Sequence, residues 1–252
     1  MLNLYVHYDS VMNHVITRGI SLTSDDFLER TMPKNLILAE SPEDFGRFDA
    51  QTNFKVIRGQ VAVIDYMNAC RDRNARMSNW IDFESIEGMH NLTPNEIAEI
   101  LYLFHATREL KSAFFYKLQN NYVYLTLVNG LNKMFYRHIH HFYPRFQRTV
   151  REKMTELLNE NRSFFFLRKE RVGELSLGVV EEIAPYFSAG LKVNFNAPKQ
   201  VGTYWQIPLE IIEDDLSLLD NEHLNGREIG YLVYDTNAEQ WHLEINDEIK
   251  EI

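Results

Sequence analysis

The 252-residue chain has the composition of a globular protein and a formal net charge of −10. Its 45% hydrophobic and 25% charged residues exclude a disordered chain, and this length can bury a sizeable core. No apolar run reaches the roughly 18 residues of a membrane span, and the N-terminus lacks the features of a signal peptide. The single cysteine, Cys70, is interpreted as a small buried apolar residue and allows no intrachain disulfide. We therefore expect a soluble, cytoplasmic protein.

The first part of the chain mixes short strands with helices. Leu2–Tyr8 shows the apolar–polar alternation of a strand, and Asn35–Leu38 is predicted to form a second one. Helix starts are indicated at Thr23–Asp26 and Ser41–Asp44, where a hydroxyl group precedes acidic side chains that favour a helix N-terminus. Apolar residues at three-residue spacing predict a helix over Gln60–Met77.

The clearest local signal is a capping box that begins at Thr93. The hydroxyl of Thr93 can accept a hydrogen bond from a backbone N–H of the first helical turn, and the carboxylate of Glu96 can reach back to the Thr93 backbone. A proline is tolerated at the first helical position because the N–H that it lacks has no partner within the helix. With the apolar stripe that follows, this motif predicts a helix over Pro94–Arg108.

The hydrophobic period then changes from that of a helix to that of a strand. Three short runs, Phe114–Leu118, Tyr122–Val128 and Asn132–His138, are separated by Asn120-Asn121 and Asn129-Gly130. Asn-Gly favours a tight hairpin because such turns need positive φ angles at both central residues. We predict an antiparallel meander, and a continuous helix is the competing interpretation.

The remaining chain also alternates between helical and strand patterns. Helices are predicted over His141–Glu160 and Glu174–Ala184. Strands are predicted over Arg162–Arg168, Leu191–Phe195 and Tyr204–Leu209, and in a hairpin that spans Ile229–Ile245.

These elements indicate an α+β fold in which an antiparallel β meander and hairpins pack against amphipathic helices. We expect an N-terminal α+β region over residues 1–110. Residues 111–252 are expected to hold the basic meander and helix, followed by an acidic β-rich region. One continuous domain is the alternative.

Charge is distributed unevenly along the chain. Arg108–Arg171 contains 13 basic and 5 acidic residues, a net charge of +8, whereas Leu209–Ile252 contains 13 acidic and 2 basic residues. Aromatic residues lie among the basic ones, as on surfaces that bind single-stranded nucleic acid. The competing interpretation places the rings in the core and pairs the basic groups with the protein's own acidic end. The predicted binding residues are Lys133, Arg137, Arg145, Arg148, Tyr122 and Tyr124.

Two further groups of side chains have the chemistry of a site. His138, His140 and His141 are weak metal-ligand candidates, because zinc sites use convergent imidazoles. They are also the centre of an alternative enzyme site, in which distant segments of the chain supply the carboxylates. Asp82–Glu84 and Asp220–His223 are acidic candidates, although such spacing is common on solvated loops.

The sequence contains no recognised nucleotide-binding loop, nucleophile elbow, zinc-protease motif or C-x-x-C pair. We accordingly predict no cofactor and no resident metal, and whether the chain is an enzyme stays open. The leading hypothesis is a non-catalytic binding or regulatory protein with a basic–aromatic contact surface. The expected partner is a protein with an acidic segment or a second copy of the chain; nucleic acid is less favoured because of the overall negative charge. The alternative is an enzyme, such as a hydrolase, built around His138, His140 and His141.

Overall fold

A computed structural model describes residues 3–39, 45–73, 77–105, 112–127, 130–159, 171–212 and 226–246. Within these ranges the chain has an α+β fold with five α-helices and thirteen strands in antiparallel pairing. None of the described helices is both long enough and apolar enough to cross a membrane. The chain divides into two compact units. We call them the N-terminal unit (Asp9–Val15 and Leu22–Phe142) and the C-terminal unit (Met1–Tyr8, Ile16–Ser21 and Tyr143–Ile252).

The first two strands, β1 (Leu4–Asp9) and β2 (His14–Arg18), have residues in both units. The first strand is confirmed, but Leu4, Tyr5 and Val6 are all buried, so its first half is covered on both faces instead of alternating between core and solvent. The second strand was missed by sequence analysis, because it is short and three of its five residues are polar or charged.

Six strands belong to the N-terminal unit: β3 (Asn35–Leu38), β4 (Arg47–Phe48), β5 (Lys55–Arg58), β6 (Trp80–Phe83), β7 (Tyr122–Thr126) and β8 (Leu131–Tyr136). Their order in the sheet is β8-β7-β6-β3-β5-β4. The predicted meander strands therefore extend a sheet built from N-terminal strands, because β7 pairs with β6 from more than forty residues earlier in the chain.

Three helices complete the N-terminal unit: α1 (Gln60–Asp72), α2 (Ile86–His90) and α3 (Pro94–His105). The capping box is confirmed, since Glu96 accepts from the Thr93 N–H at 2.7 Å and its own N–H donates to the Thr93 hydroxyl. The apolar side of α3 faces a core that also includes side chains of β3, β6, β7 and β8. At Thr23 the predicted helix start is a single 3₁₀ turn, Ser24–Asp26.

The C-terminal unit contains two helices, α4 (Tyr143–Asn159) and α5 (Leu177–Ile183), which confirm the two predicted helices in shorter form. Its remaining strands are β9 (Leu191–Val193), β10 (Lys199–Val201), β11 (Tyr204–Ile211), β12 (Arg227–Asp235) and β13 (Gln240–Ile245). They pair in the order β13-β12-β11-β9-β1, and β10 pairs with β11. The predicted closing hairpin is thus confirmed.

The first run of the predicted meander does not form a strand. Residues 114–119 make a turn in which the Gln119 N–H donates to the carbonyl of Phe115. The buried side chain of Asn120 holds this turn, because its Oδ1 accepts from the Phe115 N–H at 2.7 Å and its Nδ2 donates to the Ala113 carbonyl at 3.0 Å. The prediction of a strand over Phe114–Leu118 was therefore wrong.

The second hairpin of the meander is confirmed as β7 and β8, paired from Tyr122↔Tyr136 to Thr126↔Asn132. Asn129 of the predicted turn lies outside the described residues, as do the predicted helix start at Ser41–Asp44 and the predicted strand Arg162–Arg168.

Candidate functional site

The six predicted binding residues do not form one exposed surface. Tyr122, Tyr124 and Lys133 are buried in the N-terminal unit, and Arg145 is buried in the C-terminal unit. A ring that is already packed on both faces offers no platform for a base or a partner side chain. Arg137 is the exposed member of the set.

The two tyrosines are buried because β7 is a central strand with both faces covered. Val123 and Leu125 contribute to the core beneath α3. On the opposite face Tyr124 stacks on Trp80 with ring centres 5.8 Å apart, and Tyr122 makes edge contacts with Phe27 and Tyr136. Both faces of β7 therefore belong to the interior.

The basic residues of α4 bind backbone groups of their own unit. Arg145, with 1% of its surface exposed, donates from Nη2 to the carbonyl of Ile20 at 2.8 Å. Arg148 donates to the carbonyl of Ser21 at 2.6 Å and to Glu152 one turn along the helix at 2.7 Å. These contacts give the two arginines a structural explanation, because each guanidinium binds a backbone carbonyl of its own unit.

Arg137, directly after β8, combines exposure with a fixed position. Its Nε and Nη2 donate to the backbone carbonyl of Asn120 at 2.9 and 2.7 Å. The guanidinium carbon lies 4.9 Å from the centre of the Phe114 ring, within the range of a cation–π contact. Tyr116, two residues further along the same turn, is 89% exposed. We call Arg137, Phe114 and Tyr116 the arginine–aromatic surface.

Three imidazoles follow Arg137 in the sequence: His138 comes directly before a 3₁₀ turn, Ile139–Phe142, and His140 and His141 lie within it. The ring centres of His138, His140 and His141 are 4.5 to 5.6 Å apart. His138 and His140 are exposed, whereas His141 is partly buried with Nδ1 2.9 Å from the Tyr122 hydroxyl. We call these three side chains the imidazole cluster.

The two groups in this contact have shifted pKa values. Burial, assisted by the neighbouring His140, His138 and Arg30, lowers the pKa of His141 to about 4. Burial also raises the pKa of Tyr122 above its ordinary value. At neutral pH, therefore, Tyr122 keeps its proton and His141 is uncharged. The hydroxyl can then donate to Nδ1 and leave the His141 proton on Nε2.

The three rings of the imidazole cluster are not arranged as metal ligands in this structure. Among the residues that the structure describes, no group of three or more His, Cys, Asp or Glu side chains is arranged to hold a metal ion. The weak metal candidates His138, His140 and His141 are close together, but their rings pack edge-on or stacked against one another. Metal ligation requires the nitrogen lone pairs to point at one position.

The acidic candidates have different outcomes. Asp82 is buried in β6, where its carboxylate accepts hydrogen bonds from the backbone N–H groups of Tyr122 at 2.7 Å and Asn121 at 3.0 Å. It is a structural acceptor between two strands, and the expectation of a solvated loop was wrong for this residue. Asp220–His223 lies outside the described residues.

Sequence reasoning missed the partners that position the site. Phe114 and Asn120 fix Arg137 from seventeen or more positions earlier in the chain, and Tyr122 reaches His141 from nineteen positions away. No local pattern indicates such contacts, because they depend on the pairing of β7 with β8. When the chain was compared with protein-family models, curated proteins and solved structures, none of the three comparisons gave a match.

Proposed function

We propose that this chain is a non-catalytic binding or regulatory protein whose arginine–aromatic surface contacts an acidic segment of a partner protein. The observation that supports this proposal best is the placement of Arg137, exposed, stacked on Phe114 and held by two hydrogen bonds to the Asn120 carbonyl. Arginine and aromatic residues are enriched at the energetic centres of protein interfaces.

Pre-positioning of the guanidinium favours binding over a purely structural role. A side chain that is already ordered loses less conformational entropy when a partner binds. The guanidinium of Arg137 has five N–H donors. One on Nε and one on Nη2 donate to the backbone carbonyl of Asn120. Carboxylates match the guanidinium geometry and accept from it in pairs.

An acidic protein segment suits this surface better than nucleic acid does. The formal charge of −10 on the whole chain opposes long-range attraction of either polyanion, so the accessible aromatic rings decide between them. Stacking of successive bases needs several accessible rings. Tyr122 and Tyr124, which were expected to supply them, are buried.

The proposal is tested with two fluorescent probes, a polyglutamate peptide and a single-stranded oligonucleotide, in anisotropy titrations at low and high salt. We expect the peptide to bind, and Arg137→Gln to weaken it by roughly tenfold, as for the loss of a charge-assisted contact. Arg47→Gln is the matched control, because Arg47 is an exposed arginine on β4 of the same unit. Equal affinity of the two variants, or preference for the oligonucleotide, contradicts the proposal.

A second candidate function, hydrolysis, is favoured by the Tyr122–His141 hydrogen bond. For this role the contact has to run in the opposite direction, with Nδ1–H donating to the Tyr122 oxygen, because only then does Nε2 carry the lone pair of a general base. Activated ester and phosphoester substrates test it. Turnover that is lost in both His141→Gln and Tyr122→Phe supports a hydrolase, and equal background rates in all three proteins refute it.

A further inference from the structure

β13 lies at the edge of the strand order in the C-terminal unit. It pairs with β12 from Gly230↔Ile245 to Asp235↔Gln240 without a bulge, and within the described ranges no strand pairs with its other side. Its six residues include neither proline nor lysine, which commonly protect an edge strand from pairing with another chain. By comparison β4, the edge strand of the N-terminal unit, has only two residues. β13 therefore offers the backbone of a full strand to another chain.

The backbone groups of every second residue in β13 point away from β12. The Asn246 N–H, directly after the strand, donates to the carbonyl of Ile229 at 2.9 Å, so these two residues form a hydrogen-bonded pair of the ladder. In an antiparallel ladder such pairs alternate with pairs that exchange no hydrogen bond. The residues of β13 whose N–H and C=O groups point outward are therefore Trp241, Leu243 and Ile245.

We propose that the chain forms a dimer in which β13 pairs with β13 of a second copy, antiparallel and about a two-fold axis at Leu243. A two-fold interface joins the same patch on both subunits, and an antiparallel strand pair has this symmetry. Leu243 then faces its own counterpart, and Trp241 faces Ile245 of the second copy. Both strands of each such pair have outward groups, so each pair exchanges two N–H···O bonds and the ladder continues across the axis.

The exposed face of β13 favours this register because two of its side chains are complementary. His242 lies opposite Glu244 of the second copy at a non-hydrogen-bonded position, where facing side chains are closest. Both are roughly half exposed within one chain, where they contact each other at 3.2 Å, and an imidazole N–H can donate to a carboxylate. An axis two residues earlier would place His242 opposite Gln240, and one two residues later would place Glu244 opposite Asn246. Only the axis at Leu243 therefore pairs the two side chains.

The covered face of β13 has apolar surface left for a second strand. Trp241 is buried within one chain, and its indole N–H donates to the Gly173 carbonyl at 3.0 Å. Leu243 and Ile245 lie on the same face and are only partly buried, so a strand about 4.8 Å away covers them further. Because a six-residue edge is a small interface, we expect a dimer that dissociates on the order of 10 µM.

Sedimentation velocity of the intact chain between about 1 µM and about 500 µM tests the dimer. We expect a monomer at the lower concentration and a dimer at the higher one. Glu244→Lys places an ammonium group opposite His242 and should weaken the dimer by roughly tenfold. The exchanged variant His242→Glu/Glu244→Lys should restore it, because opposite charges then face each other again. Glu182→Lys, the same charge change at an exposed residue of α5, is the matched control and should leave the dimer unchanged.

Hydrogen exchange distinguishes pairing through β13 from association through another surface. The amides of Leu243 and Ile245 point outward, so they should exchange more slowly in the dimer than in the dilute monomer. The amides of His242 and Glu244 point at β12 and should be protected at both concentrations. Slow exchange of the outward amides in the monomer as well would show that the chain covers its own edge, and would contradict the proposal.

Three other results would overturn the dimer. The first is a parent chain that stays monomeric over the whole range of concentration. The second is a Glu244→Lys variant that associates as the parent does, or a Glu182→Lys control that is weakened equally. The third is an exchanged variant that does not recover association. Because the arginine–aromatic surface takes no part in the interface, each of these failures would leave the proposed contact with an acidic segment standing.

Discussion

Replacing Asp82 with asparagine removes a titrating carboxyl group from the interior of the N-terminal unit. The carboxylate accepts from the N–H groups of Asn121 and Tyr122, and Arg137 is close enough to favour its charged form. Burial has the larger effect, however, and raises the pKa of Asp82 to about 7 from an ordinary value of 3.8. In the unfolded chain the same group ionises near its ordinary value.

The sign of the pH dependence follows from these two values. Between pH 3.8 and pH 7 the folded protein holds a proton on Asp82 that the unfolded chain has lost, so stability falls as the pH rises through this window. The slope for one proton is about 1.4 kcal/mol per pH unit, which sets an upper bound of ~4 kcal/mol for the whole window. Above pH 7 the contribution is constant.

Urea unfolding between pH 4.5 and pH 7.5 measures this effect. We expect Asp82→Asn to be less stable than the parent at pH 4.5, because an amide offers one acceptor oxygen where the carboxyl offers two. The difference should shrink as the pH approaches 7, since the parent loses stability and the variant does not titrate. Asp65→Asn is the control, because Asp65 is an exposed residue of α1.

A direct reading comes from the ¹³C resonance of the Asp82 carboxyl group, assigned by its loss in Asp82→Asn. A titration midpoint at or below 3.8 would refute the reasoning, because the hydrogen bonds from the backbone N–H groups of Asn121 and Tyr122 would then outweigh burial. So would a pH dependence that is the same in Asp82→Asn and the parent.

Three further predictions concern the N-terminal unit. Lys117 and the Thr93 N–H lower the pKa of Glu96 to about 2. Glu96→Gln should therefore lower the free energy of unfolding by roughly 1 kcal/mol above pH 4.5, and urea unfolding should show this loss shrinking as the pH falls towards 2. Asn120→Ala leaves the buried Phe115 N–H and Ala113 carbonyl without their side-chain partner, and should lower the free energy of unfolding by about 1–3 kcal/mol. A loss below 0.5 kcal/mol by the same assay would contradict this. Gly88→Ala places a methyl carbon 2.2 Å from the Lys117 carbonyl oxygen, so the thermal unfolding midpoint of the variant should be lower than that of the parent. An unchanged midpoint would show that the turn around Lys117 can move without loss of stability.

Elements whose signals lie within a few neighbouring residues were predicted well. The capping box at Thr93 specifies the start of α3 because both of its hydrogen bonds join residues three apart. The closing hairpin of β12 and β13 was predicted because each strand alternates apolar and polar residues around a polar turn. Such patterns act before any tertiary contact forms.

Strands buried on both faces were the ones missed or misjudged. All four residues of β6, Trp80–Phe83, are buried, so the strand includes a charged residue without presenting a solvent face. Because β7 is also buried on both faces, Tyr122 and Tyr124 are core residues, although they were expected on the surface. Periodicity identifies a face only when one side of the element meets water.

Some features of the site follow from the sequence alone, and others depend on the tertiary structure. The sequence by itself determined that three imidazoles and Arg137 occur together, because they lie within five consecutive positions. It also determined strand β8 before them and helix α4 after them, through the apolar period of each element. Only the tertiary structure decided that Arg137 stacks on Phe114, that His141 meets Tyr122 and that Asp82 is buried. The physical reason is that exposure, hydrogen-bond partners and pKa depend on which strands pair, and that pairing brings together residues nineteen to forty positions apart.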